Sequence, residues 1–174
     1  TANPYLAGII RGLIKSDPAR AKDLLTSMPK SVERGEALDF IMPHLWQQGT
    51  DAVKGWIASL NDSALQSGAM ARASDKLAAT DPAGTVALLL KYSGEATNDK
   101  LDKVFTSWSK ADPAAAMAAF NAIPAGKNRS DALLGLIRSS AADPKAGVAL
   151  MDRYPADVTD RTVQSFIWQS YGTD

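Results

Sequence analysis

Asp-Pro occurs four times in this chain, at Asp17-Pro18, Asp81-Pro82, Asp112-Pro113 and Asp143-Pro144. The last two intervals are equal and the first is twice as long to within a step or two, which places a missing marker near its middle. Thr50-Asp51-Ala52 stands there, with Ala in place of Pro. A second marker keeps the phase: Pro29, Pro124 and Pro155 follow Asp17, Asp112 and Asp143 at one constant interval. A fixed period of about 31 residues is the signature of a repeat architecture, in which no unit buries its apolar face alone.

The spacing predicts five units, 17–50, 51–80, 81–111, 112–142 and 143–173, after an unpaired N-terminal helix over 1–16. Each unit reads as a helical hairpin. Asp caps the first helix by accepting its orphan amide hydrogens, and Pro takes the first helical position, where a missing N–H costs nothing. Pro at the second marker, or Gly just after it, ends that helix. Its apolar positions recur at helical spacing, as in Leu24, Leu25 and Met28 or Leu88, Leu89 and Tyr92. Four residues after each Asp stands a small residue or Thr (Ala21, Gly55, Thr85, Ala116, Gly147), as a close helix crossing requires. The second helix carries its own i, i+3, i+4 stripe: Ala37, Phe40 and Ile41, then Leu101, Val104 and Phe105. Leu133, Leu136 and Ile137, and Val163, Phe166 and Ile167, continue it. Pro43 predicts a kink or break at residues 42–44. The second unit, lacking both prolines, has the least defined boundaries.

The fold class expected is all-α: one domain over 1–174, an α-solenoid of five hairpins plus one helix, wound into a right-handed superhelix or arc. Asn3-Pro4 starts the first helix, and Asp174 falls one full period after Asp143, where a further unit would begin. Neither end carries the polar helix that closes a solenoid, so a piece of a longer array is expected.

Tandem helical hairpins without strands resemble the α-solenoids of the tetratricopeptide and HEAT-like superclass, over nearly the whole chain and in architecture rather than motif. The tetratricopeptide pattern spans about 34 residues with Trp, Leu-Gly and Tyr at set places, whereas helix A here reads Asp-Pro-x-x-small. The pattern is also similar to Asp-Pro-marked helical arrays of large bacterial proteins, many exported, so localisation leans toward an exported or periplasmic setting. The resemblance implies a non-enzymatic scaffold that binds a protein or peptide. The rival is the helical region of a larger exported, cell-wall-active enzyme whose catalytic residues lie outside this chain.

Composition narrows the chemistry. Lys plus Arg and Asp plus Glu number 19 each, so the chain lacks the basic footprint of a nucleic-acid binder. There is no Cys, which excludes disulfides, thiol catalysis and Cys-based metal sites. Apolar runs are too short for membrane insertion. His44 is the only histidine and has no metal or triad spacing, so it reads as a helix-end residue. Glu33 and Glu36 share the start of a helix, where carboxylates favour the dipole. Asp157 and Asp160 lack the spacing of a calcium loop. Gly126-Lys127 lacks both the first glycine and the hydroxyl of a phosphate loop. No catalytic residue, cofactor or metal ligand is therefore expected.

The tryptophans are the remaining candidates. Trp46, Trp108 and Trp168 are expected to pack between hairpins. Trp56 either packs or lines a groove, and phasing the second unit two residues earlier brings Trp56 and Leu60 onto the main stripe. An exposed apolar patch of Trp56, Leu60 and Leu90 would mark a contact site. The expected partner-binding residues are Trp56, Leu60, Val86 and Leu90, along a ridge or groove crossing successive first helices.

Overall fold

The computed structural model describes residues 5–171; Asn3-Pro4 and Asp174 lie outside them. The described residues form eleven α-helices and two 3₁₀ turns, with no strand. The helices are α1 (Tyr5–Ser16), α2 (Pro18–Ser27), α3 (Val32–Gln47), α4 (Thr50–Ala58), α5 (Ser63–Ala78) and α6 (Pro82–Lys91). They continue with α7 (Lys100–Ala111), α8 (Pro113–Ala122), α9 (Lys127–Ser139), α10 (Pro144–Arg153) and α11 (Asp160–Tyr171).

Asp-Pro starts a helix wherever it occurs. Asp17, Asp112 and Asp143 each cap a helix whose first residue is the proline, accepting from Arg20 N at 3.1 Å, Ala115 N at 3.0 Å and Lys145 N at 3.1 Å. Asp81 does the same for α6 by accepting from Gly84 N at 2.8 Å. The missing marker has a backbone cause. The cap of α4 is Gly49, not Asp51, and its φ of 104° is a left-handed value that a residue with a side chain disfavours. The second unit is thus phased two residues earlier than Asp51 implied. Counted from Gly49, Val53 rather than the exposed Gly55 takes the small position, and Val53 is fully buried.

With that phase the core becomes regular. Eight residues after the cap stand Leu25, Ile57, Leu89 and Phe120, and eleven after it Met28, Leu60, Tyr92 and Ile123; all are buried. Pro43 does not break α3. The helix runs through it because Ile41, Met42 and Leu45 anchor the buried side, while Pro43 and Asp39, whose carbonyl loses its partner, both face water.

The packing divides into two compact units. The first runs to Leu77 and takes in Lys91–Thr97; the second comprises Ala78–Leu90 and the chain from Asn98 on. In the first unit α1 packs on α2 and α3, and α3 on α4. Arg72 of α5 reaches back to α3, donating to Asp39 Oδ1 at 2.5 Å and to the Gly35 carbonyl at 3.1 Å. In the second unit α9 packs on α7, α8, α10 and α11. Gly135 sets the α7–α9 approach, since a Cβ there would lie 2.7 Å from Phe105 Cβ and against the Asp102 carbonyl.

Two helices depart from the expected stripe: Phe40 of α3 is 38% exposed, and α11 departs more widely. Thr162 of α11 is buried and Ser165 accepts from Arg138 Nε at 3.0 Å, so α11 meets α9 with a partly polar side. Val163 and Ile167 are exposed instead, and Trp168 is 76% exposed rather than packed between hairpins. Trp108 is buried beside Phe105, and Trp46 is half-buried under the Lys76 ammonium, 4.4 Å from its ring.

Candidate functional site

Each unit contains a groove between consecutive first helices, and the two grooves are built from repeat-equivalent positions. In the first unit a groove of 420 Å³ lies between α2 and α4, over α3. In the second a groove of 360 Å³ lies between α8 and α10, over α9. Measured from the caps Asp17 and Asp112, Pro18 matches Pro113 and Lys22 matches Met117 on one wall. Measured from Gly49 and Asp143, Ala52 matches Ala146 and Gly55 matches Ala149 on the other. Trp56 matches Leu150, and Ser59 matches Arg153. On the floor Ile41 stands for Leu136, His44 for Ser139 and Leu45 for Ser140. Such a correspondence follows from the hairpin: small residues facing the gap between two first helices leave it unfilled at the same register each time.

His44 lies in the first groove, with Nε2 2.9 Å from Gln48 Nε2 and Nδ1 buried without a partner. Ser139 and Ser140, which line the second groove, turn their hydroxyls back to the Leu136 and Ile137 carbonyls at 2.6 and 2.7 Å. Among the described residues neither groove is lined by a carboxylate. What the grooves offer is an apolar trough with a few donors on its walls, suited to holding side chains.

The expected partner-binding residues divide. Trp56 is half-buried and lines the first groove. Leu60 is 3% exposed and Val86 5% exposed, so both are core residues and the expected patch does not form through them. For Leu60 the reason is the two-residue phase shift, which puts it in the buried series of Met28 and Ile123. Leu90 is half-buried.

The charged residues form ties between helices. Arg34 of α3 donates to Asp62 Oδ2 at 2.6 Å. Asp62 also accepts from Leu65 N at 2.8 Å, and the guanidinium, then that amide, hold its carboxyl below the usual carboxylate range. Arg129 grips Asp157 at 2.8 Å and the Ile123 carbonyl at 2.8 Å, with its guanidinium 4.3 Å from the Phe120 ring centre. On α7 the buried Asp102 accepts from Arg138 and, at 3.2 Å, from Arg161, which also pairs with Asp99 at 2.7 Å. Burial raises the Asp102 carboxyl against the pull of the two arginines, and its Oδ1 has no partner. At the start of α3 the half-buried Glu33 is lowered by its own amide and the Ser31 hydroxyl.

Composition and period did not single out these pairs, yet a signal was present: Arg34 and Arg129 follow their capping residues, Asp17 and Asp112, at the same interval. A further groove, of 560 Å³, is bordered by Lys30 and Glu95, which pair at 3.1 Å. Among the described residues no group of His, Asp and Glu is arranged to hold a metal ion, and no helix is long and apolar enough to cross a membrane. No protein family, curated protein or solved structure matches the chain.

Proposed function

We propose that this protein is a non-enzymatic scaffold of tandem helical hairpins, an α-solenoid of the tetratricopeptide and HEAT-like kind, that binds a protein or peptide along its first helices. The observation that supports the reading is the repeated groove. The floor and walls of the α2–α4 trough recur position by position in the α8–α10 trough, as a surface copied with the repeat would. Packing of α1 on α3, α7 on α9 and α9 on α11 is the local geometry of stacked hairpins. A trough with half-buried Trp56 and Leu150 on its wall, and small neighbours beside them, seats side chains without distorting the helices.

Selection of a random-peptide display library on the whole chain tests this. Enriched peptides should shift the NMR signals of Trp56 and His44, or of Leu150 and Met117, and Trp56→Ala should weaken those that use the first groove. No enrichment, or shifts confined to surfaces away from both grooves, would refute the proposal.

A further inference from the structure

The chain as a whole is neutral, but its grooves are not. Among the described residues the only full charge lining the first is Lys22, and the only one lining the second is Arg153. Both occupy registers that carry no carboxylate in any unit. Five residues after the cap stand Lys22, Lys54, Val86, Met117 and Val148. Ten after it, Lys91 and Arg153 are the charged members beside Ser27, Ser59 and Ala122.

The caps Asp17 and Asp112 stand next in sequence to the wall residues Pro18 and Pro113, but neither is among the residues lining a groove, and Oδ1 of each is turned to its own helix. Asp17 accepts from Arg20 N at 3.1 Å and Asp112 from Ala115 N at 3.0 Å. Neither Asp51 nor Asp152 lines a groove. An apolar trough whose only fixed charge is positive selects among otherwise similar ligands by charge: an acid on the ligand gains, a base is repelled.

Resting on the binding reading above, we propose that the grooves take an acidic amphipathic peptide segment. Its apolar side chains would seat against Trp56 or Leu150, with carboxylates beside Lys22 or Arg153. The apolar contact supplies most of the affinity and the charge supplies the choice of partner, because exposed ion pairs are individually weak.

The test uses two synthetic peptides with the same apolar positions, one carrying Glu and the other Lys at every polar position. Fluorescence anisotropy against the whole chain should show the Glu peptide binding about three- to ten-fold tighter, as one exposed ion pair gained by the Glu peptide and one repulsion met by the Lys peptide allow. That gap should narrow as salt rises, since screening acts on exposed charges. Lys22→Glu and Arg153→Glu should each shrink it while leaving the circular dichroism spectrum unchanged.

Equal or tighter binding of the Lys peptide, or a gap that both substitutions leave intact, would overturn the charge preference while the grooves still bind peptides. If neither peptide binds although library-selected peptides do, the acidic-segment proposal fails alone. If the library selection also fails, the binding reading falls with it.

Discussion

The Arg129 guanidinium donates from Nε to the Asp157 carboxylate at 2.8 Å, across 28 residues of sequence. The same grip joins Arg34 to Asp62 at 2.6 Å, again across 28 residues. Each arginine lies near the start of a second helix and each aspartate follows the next first helix, so the pair fastens one hairpin to its successor. Arg129 adds a bond to the Ile123 carbonyl at 2.8 Å, which closes the end of α8.

Arg129→Lys should therefore cost more than a surface substitution. The ammonium keeps the charge but cannot reach carboxylate and carbonyl together with a planar fork. Breaking this largely buried arrangement should lower stability by about 2–4 kcal/mol. A double-mutant cycle with Asp157→Asn, read by urea unfolding, should give a coupling of about 1–3 kcal/mol. A coupling near zero would mean that the two residues are neighbours without being partners.

The Asp62 pair carries a pH signature whose sign is fixed. Its folded carboxyl lies below the usual range, so on acidification the unfolded chain takes up the proton first. The stabilisation is present above the ordinary carboxylate value and is lost as pH falls through the folded one. Asp62→Asn should thus destabilise the protein at neutral pH by about 1–3 kcal/mol, and the difference from the parent should fade as the medium grows strongly acidic. Asp102, raised by burial, acts oppositely: its native charge costs stability as pH rises through the carboxylate range, in parent and variant alike. A gap that stays constant with pH would exclude a charge role for Asp62.

Much of the fold was legible because Asp-Pro records a local event, the start of a helix, and local events are written in adjacent residues. The phase of the second unit was legible only as an alternative two residues before Asp51, because its cap is Gly49, which has no capping side chain to decide against Asp51. From that one displacement followed the misplacement of Leu60, which lies in the core, and of Gly55, which lies in the open. The grooves were only partly legible. Trp56 stood out as a large residue, off the stripe when counted from Asp51 and on it in the earlier phase, but Lys22, Met117 and Arg153 join a site only once two first helices are side by side. Val86 shows the same limit: position on a helix face was readable, while what covers that face depends on the neighbouring hairpins.

The caps provide a direct check on the corrected phase. Asp112→Ala removes the acceptor for Ala115 N, and Asp143→Ala the acceptor for Lys145 N. Each should cost about 0.5–2 kcal/mol. Asp51→Ala should cost only a few tenths of a kcal/mol, the scale of a first-turn charge near the helix dipole, because Gly49 is the cap there. Thermal melts in which Asp51→Ala matched the other two would restore Asp51 as the helix start.

Two glycines separate close packing from open surface. At Gly135 an added methyl would lie 2.7 Å from Phe105 Cβ and against the Asp102 carbonyl, both on α7. The backbone on that side cannot yield without moving α7, which also carries the Asp102 tie to Arg138 and Arg161. Gly135→Ala should therefore destabilise the protein by about 1–3 kcal/mol, as overpacking of a core does. At Gly55 nothing lies within 4 Å of the added methyl, and the residue is exposed within α4. Gly55→Ala should there raise stability by about 0.5–1 kcal/mol, by restricting the unfolded chain and favouring the helix. Chemical unfolding of both variants decides the matter: displacements of the midpoint in opposite directions are expected. A destabilising Gly55→Ala would return Gly55 to a helix crossing and undo the phase on which the two grooves match.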